Sequence, residues 1–328
     1  MARAQGSPPA NEILPEADFI HLYQTIGPVA LAKRLGIGVR RVYARRQRIE
    51  KLRGQSIPVP PEHRRHATDH QRSPVHKGRL HIQVPNGIVL IGSDAHYWPG
   101  IVTPAHRAFV RFCKEMNPVA VILNGDVLDG STISRHPPIG WEDRPRLVDE
   151  IEACKDRLGE IEMAAPKAEK IWPLGNHDSR FETRLATVAP EYAKVHGVHL
   201  KDSFPFWEPC WSVWINQSVV VKHRFKSGIH APHNNAMWAG KTMVTGHLHS
   251  LKVQPITDYN GTRWGIDCGT LAGGPGGPQF HDYLEDNPAS WRSGFVVLTF
   301  RDGRLMWPEI VAVVDEDHVE FRGEMIEV

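Results

Sequence analysis

The sequence predicts an α/β sandwich preceded by a small all-α module, and three observations support this fold class. Strand-like and helix-like segments alternate from residue 79 onward, which is the pattern of a largely parallel sheet. Beyond residue 210 the strand-like runs draw together, which suits a second, more antiparallel sheet. The beginning of the chain instead shows short helical segments. We therefore expect a helical module at 1–53, a linker at 54–78 and one α/β domain at 79–328.

Three short helices are predicted in the N-terminal module. An apolar cluster around Phe19 precedes Gly27, and Pro28, whose backbone angle suits the first turn of a helix, opens a second helix that ends at Gly36. A tight turn then leads into a third helix at 39–53. The turn between the last two helices and the apolar positions inside them resemble a helix-turn-helix DNA-binding unit.

The third helix of this module is strongly basic. Its apolar residues share one side, whereas Arg41, Arg45 and Arg48 follow the i, i+4, i+7 spacing of another face. We expect these arginines to contact DNA, because a basic helix attracts the phosphates of a duplex. The alternative interpretation is a solvated basic surface, or an arm that docks on another part of the same protein.

The distribution of charge also indicates a module for a polyanion. The whole chain has a net charge of +2, but residues 1–80 contain 15 Lys and Arg against 6 Asp and Glu. The remaining residues contain 24 basic and 31 acidic side chains (39 − 15 and 37 − 6). A basic segment is thus joined to an acidic body that could hold cations.

Composition excludes several other classes of protein. A hydrophobic content of 41% over 328 residues is enough for a full core, so a disordered or fibrous protein is not expected. No apolar run is long enough to span a membrane and no secretory signal is evident, so we expect a cytoplasmic location. The four cysteines are widely spaced without a CxxC pair, which argues against disulfides and zinc knuckles.

The α/β domain is predicted to begin with a strand at 79–84, a turn at 85–87 and a buried strand that runs to about residue 93. Buried strands and amphipathic helices then alternate to about residue 178. Residues 271–293 contain several glycines and prolines but no clear element. We predict that they form a long loop near the mouth of the site.

Five short polar motifs follow predicted strands, at the positions where ligands bind in open α/β sheets. A lone histidine at a strand end is commonly a surface residue, but a string such as Gly-Asn-His-Asp occurs by chance at a given place with odds of about one in 10⁵. Four further motifs accompany it in one chain, so we interpret the set as a functional site. The motifs are Asp94-Ala95-His96, Gly125-Asp126-Val127-Leu128-Asp129, Gly175-Asn176-His177-Asp178, His223 and Gly246-His247-Leu248-His249.

The order of these motifs resembles that of the calcineurin-like metallophosphoesterase superfamily, and the resemblance covers about residues 88–250. The arrangement of the chain, including the run SWRSGFVVLTFRDG near its C-terminus, is similar to members carried by bacterial viruses. The resemblance implies a four-layer α/β/β/α sandwich with two metal ions at the strand-end loops. It implies one metal site of Asp94, His96, Asp126 and His249, and a second of Asp126, Asn176, His223 and His247.

The types of ligand support such a centre on chemical grounds. Carboxylates, neutral imidazoles and an amide oxygen suit Mn²⁺, Fe or Zn²⁺, whereas a structural zinc site would use thiolates. We expect two divalent ions, with Mn²⁺ favoured and Fe, Zn²⁺ or Mg²⁺ as alternatives. A shared carboxylate would hold them about 3.5–4 Å apart, the spacing at which they clamp an in-line displacement at phosphorus. A water between them would lose its proton near neutral pH and become the nucleophile.

Three residues near the predicted ligands are assigned to catalysis. The resemblance implies that His177 protonates the leaving oxygen and that Asp129 orients His177. Arg180 is expected to bind a phosphate oxygen through its planar guanidinium, with a salt bridge on the following helix as the alternative.

One ligand departs from the pattern of the family. His223 precedes Arg224, whereas relatives usually have a glycine there. We assign His223 because it alone ends a clear β-run, and His230 is the next candidate.

The motifs alone do not choose the phosphoester, because the superfamily includes phosphatases, phosphodiesterases and nucleases. The basic module favours DNA, since a tethered DNA-binding unit raises the local concentration of duplex at the site. We therefore predict a DNA-processing phosphoesterase, either a nuclease or a DNA-end phosphatase. The alternatives are a phosphatase or phosphodiesterase for small molecules or phosphoproteins, and a DNA-binding regulator with an inactive phosphoesterase domain.

Overall fold

The chain divides into two compact units, each with its own hydrophobic core. The structure does not describe residues 59–75, which make up most of the predicted linker, or residues 274–289, which make up most of the predicted loop. The units are Met1–Val75 and His76–Val328. A computed structural model describes residues 14–58, 76–138, 140–141, 144–273 and 290–328.

The first unit contains helical segments around a small apolar core. Helix α1 spans Glu16–Leu35 but is broken at Gly27, whose φ of 77° and ψ of 170° are not helical, so two segments form where the Gly-Pro pair predicts them. Gly36 then ends the second segment in the left-handed conformation, and helix α2 spans Val39–Arg53. The core of the unit includes Phe19, Tyr23, Leu31, Val42 and Ile49.

The predicted arginine face of α2 is wrong at one of its three positions. Arg41 and Arg48 are exposed, but Arg45 is buried, with 8% of its surface accessible. Its guanidinium donates a hydrogen bond to the carbonyl of Leu14 and lies 4.6 Å from the centre of the Phe19 ring. Arg45 therefore stabilises the module from inside and is not part of a DNA-facing surface.

The spacing of residues along α2 explains why Arg45 is buried. Arg45 lies three residues after the buried Val42 and four residues before the buried Ile49. Residues three and four apart share a helix face, so Arg45 belongs to the apolar side. Its long aliphatic stem can pack among apolar groups while the guanidinium bonds a carbonyl and an aromatic ring.

The second unit contains two β-sheets in its described residues. Their strands, in chain order, are β1 (Leu80–Ile82), β2 (Gly87–Gly92), β3 (Ala120–Leu123), β4 (Glu169–Pro173), β5 (Glu208–Cys210), β6 (Val213–Ile215), β7 (Val219–Val221), β8 (Thr242–Thr245), β9 (Leu251–Asp258), β10 (Gly261–Cys268), β11 (Gly294–Arg301), β12 (Arg304–Leu305), β13 (Glu309–Val313), β14 (His318–Phe321) and β15 (Glu324–Glu327). One sheet has the order β15-β14-β13-β11-β2-β3-β4-β5, with β12 paired to β11. The other has the order β1-β6-β7-β8-β10-β9. Strands β2 to β4 run parallel, as the alternating pattern predicts, and β5 adds a further parallel strand beside β4.

Helices pack on both sheets of the second unit. Along β2, Leu90 belongs to the core shared with helices α3 (Pro104–Met116) and α4 (Leu147–Ala164), while Val89 and Ile91 belong to the core shared with the six-stranded sheet. This alternation explains why β2 is a continuous apolar run. None of the described helices is long and apolar enough to cross a membrane. The other described helices of this unit are α5 (Asp178–Val188), α6 (Leu200–Ser203) and α7 (Ala231–Ala239), with 3₁₀ turns at Ser131–Ile133 and Pro190–Lys194.

The first two strands of this unit enter different sheets. Strand β1 pairs in parallel with β6, whereas β2 lies between β3 and β11. The intervening turn therefore connects the two sheets and does not close a hairpin. The side-chain amide of Asn216 holds the crossing, because it accepts a hydrogen bond from the Val84 N–H and donates one to the Val84 carbonyl, each at 2.7 Å.

Candidate metal centre

Both sheets contribute residues to one site at the ends of their strands. In the nine-stranded sheet, Asp94, Asp126 and Asn176 follow the parallel strands β2, β3 and β4. In the six-stranded sheet, His223 and His247 follow the parallel strands β7 and β8. Because parallel strands end at the same edge of a sheet, these residues are brought near one another.

Five of the predicted ligands have a left-handed backbone conformation. The other non-glycine residues with positive φ in the described chain lie at hairpin turns or at the end of a helix, where this conformation is common. It costs about 1–2 kcal/mol for a residue with a side chain, and such residues concentrate at functional sites. The φ angles are 52° at Asp94, 40° at His96, 51° at Asp126, 73° at His247 and 55° at His249.

Two motif glycines are required by the close approach of the ligand loops. A Cβ atom on Gly175 would lie 2.0 Å from Oδ1 of Asp126. A Cβ atom on Gly246 would lie 2.5 Å from Oδ2 of Asp94. No larger residue fits at either position without displacing a carboxylate of the site.

The first cluster of potential ligands consists of Asp94, His96 and His249, which are all buried and whose ligand atoms lie within 4.8 Å of one another. Nε2 of His249 is 3.2 Å from Oδ1 of Asp94. The Asp94 carboxylate also accepts hydrogen bonds from the His247 N–H and the Ser93 hydroxyl. Apart from the shared Asp126, this cluster contains the residues predicted for the first metal.

The second cluster consists of Asp126, His223 and His247, again within 4.8 Å. Nε2 of His223 lies 3.0 Å from Oδ2 of Asp126 and 3.9 Å from Oδ1 of Asp94, so His223 connects the two clusters. Its Nδ1 lies 2.8 Å from the carbonyl of Asn124, which orients the ring.

The electrostatics of the two clusters favour a bound cation. Burial disfavours a charged His223, but the carboxylates of Asp126 and Asp94 outweigh it and raise the pKa of His223 to about 10. Burial likewise opposes ionisation of Asp94, yet the neighbouring histidines hold its pKa below the ordinary value. Two buried carboxylates thus require nearby positive charge, which a metal ion supplies in place of a proton.

His223 and not His230 belongs to the site. His223 is 1% exposed, lies two residues after the end of β7 and belongs to the second ligand cluster. His230 is exposed and precedes the first residue of α7.

Asn176 provides a further test of whether a metal fits. Its Oδ1 atom is buried and has no hydrogen-bond partner among the described residues. A buried acceptor without a partner costs about 1–3 kcal/mol, so a bound cation would relieve the cost. The next residue, His177, donates its N–H to Oδ1 of Asp126 at 2.8 Å, which places Asn176 beside the second cluster. Carboxylate, imidazole and amide donors together suit divalent transition-metal ions.

Asp129 orients two histidines, whereas the sequence predicts that it orients only one. Its Oδ1 lies 2.9 Å from Nδ1 of His96 and 3.1 Å from Nδ1 of His177. These hydrogen bonds explain why the three residues form a further compact group. Burial opposes ionisation of Asp129, but the two imidazoles outweigh it and lower its pKa. An imidazole held at Nδ1 presents Nε2 to a metal or a substrate.

His177 and Arg180 lie together beside the second cluster. Nε2 of His177 is 3.9 Å from Oδ2 of Asp126 and 3.1 Å from the Arg180 guanidinium, which also donates to the Asp129 carbonyl at 2.8 Å. Burial disfavours a charged His177, but the hydrogen bond to Asp129 and the charge of Asp126 raise its pKa above the ordinary value. Among the described residues, Arg180 forms no ion pair with a carboxylate, so the alternative salt bridge is not seen.

Asp178 is a site residue to which the sequence patterns assign no role. Its buried carboxylate joins the loop after β3 to the loop after β4. Burial, followed by the charge of Asp126, raises the pKa of Asp178 to about 6. The only sequence signal was its place as the last residue of the Gly-Asn-His-Asp motif. The carboxylate accepts hydrogen bonds from the backbone N–H groups of Asp126, Val127, Leu128 and Gly175 and from the indole of Trp172.

Comparison with known sequences finds relatives in bacteriophages. No family model matches the chain. The chain is 27% identical over 227 residues to the gene 54 protein of Mycobacterium phage L5, and 27% identical over 238 residues to the gene 54 protein of Mycobacterium phage D29. Each match covers 63% of this chain and 87% of the relative.

Similar solved structures have low sequence identity and low TM-scores. Vps29 from Entamoeba histolytica, complexed with zinc, is 13% identical with a TM-score of 0.38 and covers 73% of this chain and 98% of its own. The phosphoesterase Yfce from E. coli is 16% identical with a TM-score of 0.30, and the match covers 67% of this chain and 97% of Yfce. A dimetal phosphatase from Danio rerio is 10% identical with a TM-score of 0.36, and the match covers 70% of this chain and 96% of the phosphatase.

Proposed function

We propose that the protein is a metal-dependent phosphoesterase, a hydrolase that uses two divalent ions to cleave phosphoester bonds in DNA. The observation that carries this proposal is the adjacency of two buried carboxylate–histidine clusters. Their separation is small, because His223 contacts Asp126 at 3.0 Å and lies 3.9 Å from Asp94. Two adjacent cation sites without thiolates suit phosphoester hydrolysis better than a structural role.

Each ion has a proposed set of ligands that share Asp126. When bound, the ions would polarise a phosphoryl oxygen and acidify a water molecule. Mn²⁺ is the favoured ion, because imidazole-rich sites prefer it to Mg²⁺. We also propose that the second unit has the four-layer α/β/β/α order. Apolar contacts between helices and each of the two sheets support this order. The ligands would be Asp94, His96, Asp126 and His249 for one ion, and Asp126, Asn176, His223 and His247 for the other.

The protein's own groups would handle the proton and the substrate. His177 would donate a proton from Nε2 to the leaving oxygen, with Asp129 holding Nδ1 so that Nε2 faces the site. In the substrate-free arrangement the Arg180 guanidinium donates toward that nitrogen at 3.1 Å, so it would turn to a phosphoryl oxygen as substrate enters, and Nε2 would then be free to carry the proton.

DNA is the proposed substrate because of the N-terminal unit, which we propose is a helix-turn-helix module. Its last two helical segments are joined by a short turn at Gly36, and Arg41 and Arg48 project into solvent from α2. The neighbouring Arg40 and Lys51 are exposed as well. Such a surface supplies salt-dependent affinity for phosphates of a duplex.

A metal-dependent activity screen tests the proposed function. The full-length protein with Mn²⁺ is expected to hydrolyse a chromogenic phosphoester and linear or nicked DNA, whereas Mg²⁺ alone supports less activity and chelation removes it. Hydrolysis would be followed by nitrophenol release and by gel analysis of DNA ends. Turnover of small esters without DNA cleavage would favour the small-molecule alternative. DNA binding without any hydrolysis would favour the inactive regulator.

The DNA-binding surface is tested by replacing its two exposed arginines. The double variant Arg41→Ala/Arg48→Ala is expected to lower duplex affinity and to reduce the salt slope of log K by about 0.9 for each phosphate that the variant no longer neutralises. Fluorescence anisotropy at several salt concentrations measures both quantities. The control is Arg301→Ala/Arg304→Ala, an exposed arginine pair in the other unit. Unchanged affinity and slope in the first variant would make the module a protein-docking arm.

A further inference from the structure

A basic cleft adjoins the candidate metal centre. Its volume is about 400 Å³, it lies along the segment that follows β7, and His247 contributes to its lining. Since His247 belongs to the second ligand cluster, a substrate held at that cluster would extend into the cleft. The cleft is lined by Lys222, Arg224, Phe225, Lys226 and Ser227.

The cations of the cleft lack acidic partners. Among the described residues, Lys222, Arg224 and Lys226 form no ion pair with a carboxylate. Elsewhere on the surface, by contrast, Lys77 and Lys201 both pair with Glu208. Three like charges around one concave surface repel each other, and an anion in the cleft would relieve that repulsion.

The cleft is held in place by buried groups. The Lys226 N–H donates to the side chain of Asn235, which is 1% exposed, at 2.9 Å. The Lys222 N–H donates to the carbonyl of Val244 at 3.0 Å. The backbone of the lining segment is thus anchored to the sheet and to α7, so the residues that carry these cations are fixed relative to the metal ligands.

Aromatic rings are interleaved with these cations. Phe225 is 47% exposed, and Nζ of Lys222 lies 5.4 Å from the centre of its ring. Nζ of Lys226 lies 3.7 Å from the ring centre of Trp238, which is 73% exposed. Cations that follow a phosphate backbone beside exposed rings that stack on bases are the arrangement by which proteins bind single strands of nucleic acid.

We propose that this cleft binds a second phosphate group of the substrate, beside the phosphate that is cleaved, and that Phe225 stacks on the attached base. This inference rests on the proposed phosphoesterase function and narrows its substrate to a nucleic-acid strand whose end or nick is unpaired at the site. Arg224 and Lys226 contact the second phosphate, while the metal ligands hold the first.

The kinetic test compares substrates with one and two phosphates in the full chain. Thymidine 5′-(4-nitrophenyl phosphate) has one, and the same ester extended by a second thymidylate has two. In the variant Arg224→Gln/Lys226→Gln, the kcat/KM of the longer substrate relative to the shorter one is expected to fall about tenfold, since two charge-assisted hydrogen bonds are removed. Lys167→Gln, a change of an exposed lysine elsewhere, is the matched control and should leave the ratio as it is.

A binding test separates the cleft from catalysis. The chelated full chain is titrated with fluorescent oligothymidylate and, in competition, with tripolyphosphate. In the cleft variant Arg224→Gln/Lys226→Gln, the affinity for each of the two ligands is expected to fall about tenfold, because both ligands carry adjacent phosphates. Phe225→Leu is expected to weaken only oligothymidylate, by about fivefold or more, because tripolyphosphate has no base to stack.

The outcomes distinguish the cleft from the proposed function. Equal substrate ratios and equal dissociation constants in the cleft variant and the Lys167→Gln control would overturn the cleft proposal, even in an active enzyme. A chain without hydrolytic activity that loses oligothymidylate affinity in the cleft variant would support the binding site and refute the phosphoesterase function. An unchanged affinity of Phe225→Leu for oligothymidylate would overturn the assignment to a nucleic-acid strand.

Discussion

Asp126→Asn is expected to lower kcat by at least about 10³-fold and to remove more bound metal than the replacement of any other single ligand. The carboxylate is proposed to serve both ions, and it lies 3.0 Å from Nε2 of His223 at the junction of the two clusters. Asparagine keeps the shape but removes the negative charge that both cations share. Metal content by mass spectrometry and kcat with Mn²⁺ measure the effect.

Two controls show whether the loss is specific. Asp156→Asn changes an exposed carboxylate on α4 and should leave activity and metal content as they are. Metal-free Asp126→Asn should still unfold in one cooperative transition, but with a lower thermal midpoint than the metal-free parent, because the change removes the carboxylate that pairs with a charged His223. Full activity with two bound ions in Asp126→Asn would refute the shared-carboxylate assignment.

His177→Ala is expected to lower kcat by about 10²-fold or more on a substrate with a poor leaving group, while metal content stays near normal. A general acid contributes this much when the departing alkoxide needs a proton. With nitrophenol, which leaves as a stable anion, the loss should be much smaller. Paired measurements on an alkyl and a nitrophenyl ester of the same phosphate test the difference.

The leaving-group dependence distinguishes proton donation from other roles. An equal loss on both esters would make His177 a structural or phosphate-binding residue. His196→Ala is a suitable control, because the His196 side chain is 91% exposed and removed from the ligand clusters. It should affect neither ester.

The sequence by itself determined the alternation of strands and helices, and it indicated the residues of the site. Continuous apolar runs and apolar patterns with a period of 3.6 are local properties, so β2 and β3 form at such runs and α3 forms at such a periodic segment. Parallel strands end at one sheet edge, so polar motifs after successive strands were expected to converge, and both ligand clusters consist of motif residues.

Only the tertiary structure decided which side chains contact one another. Arg45 has the charge of a surface residue, but its position between Val42 and Ile49 buries it in the first core. Strand β1 precedes β2 by only a short turn yet joins the other sheet. In both cases packing against a distant segment outweighs a local preference, which is solvent exposure for the arginine and pairing with the next strand for β1.

The same reason explains what the sequence did not reveal about the site. Asp178 was visible as a motif residue, but its five hydrogen-bond donors lie mainly in another loop about 50 residues earlier. The cations at 222–226 form a cleft only because that segment is anchored against α7 and β8. Composition and periodicity describe each segment separately, whereas a binding surface depends on distances between segments, which are set by packing in three dimensions.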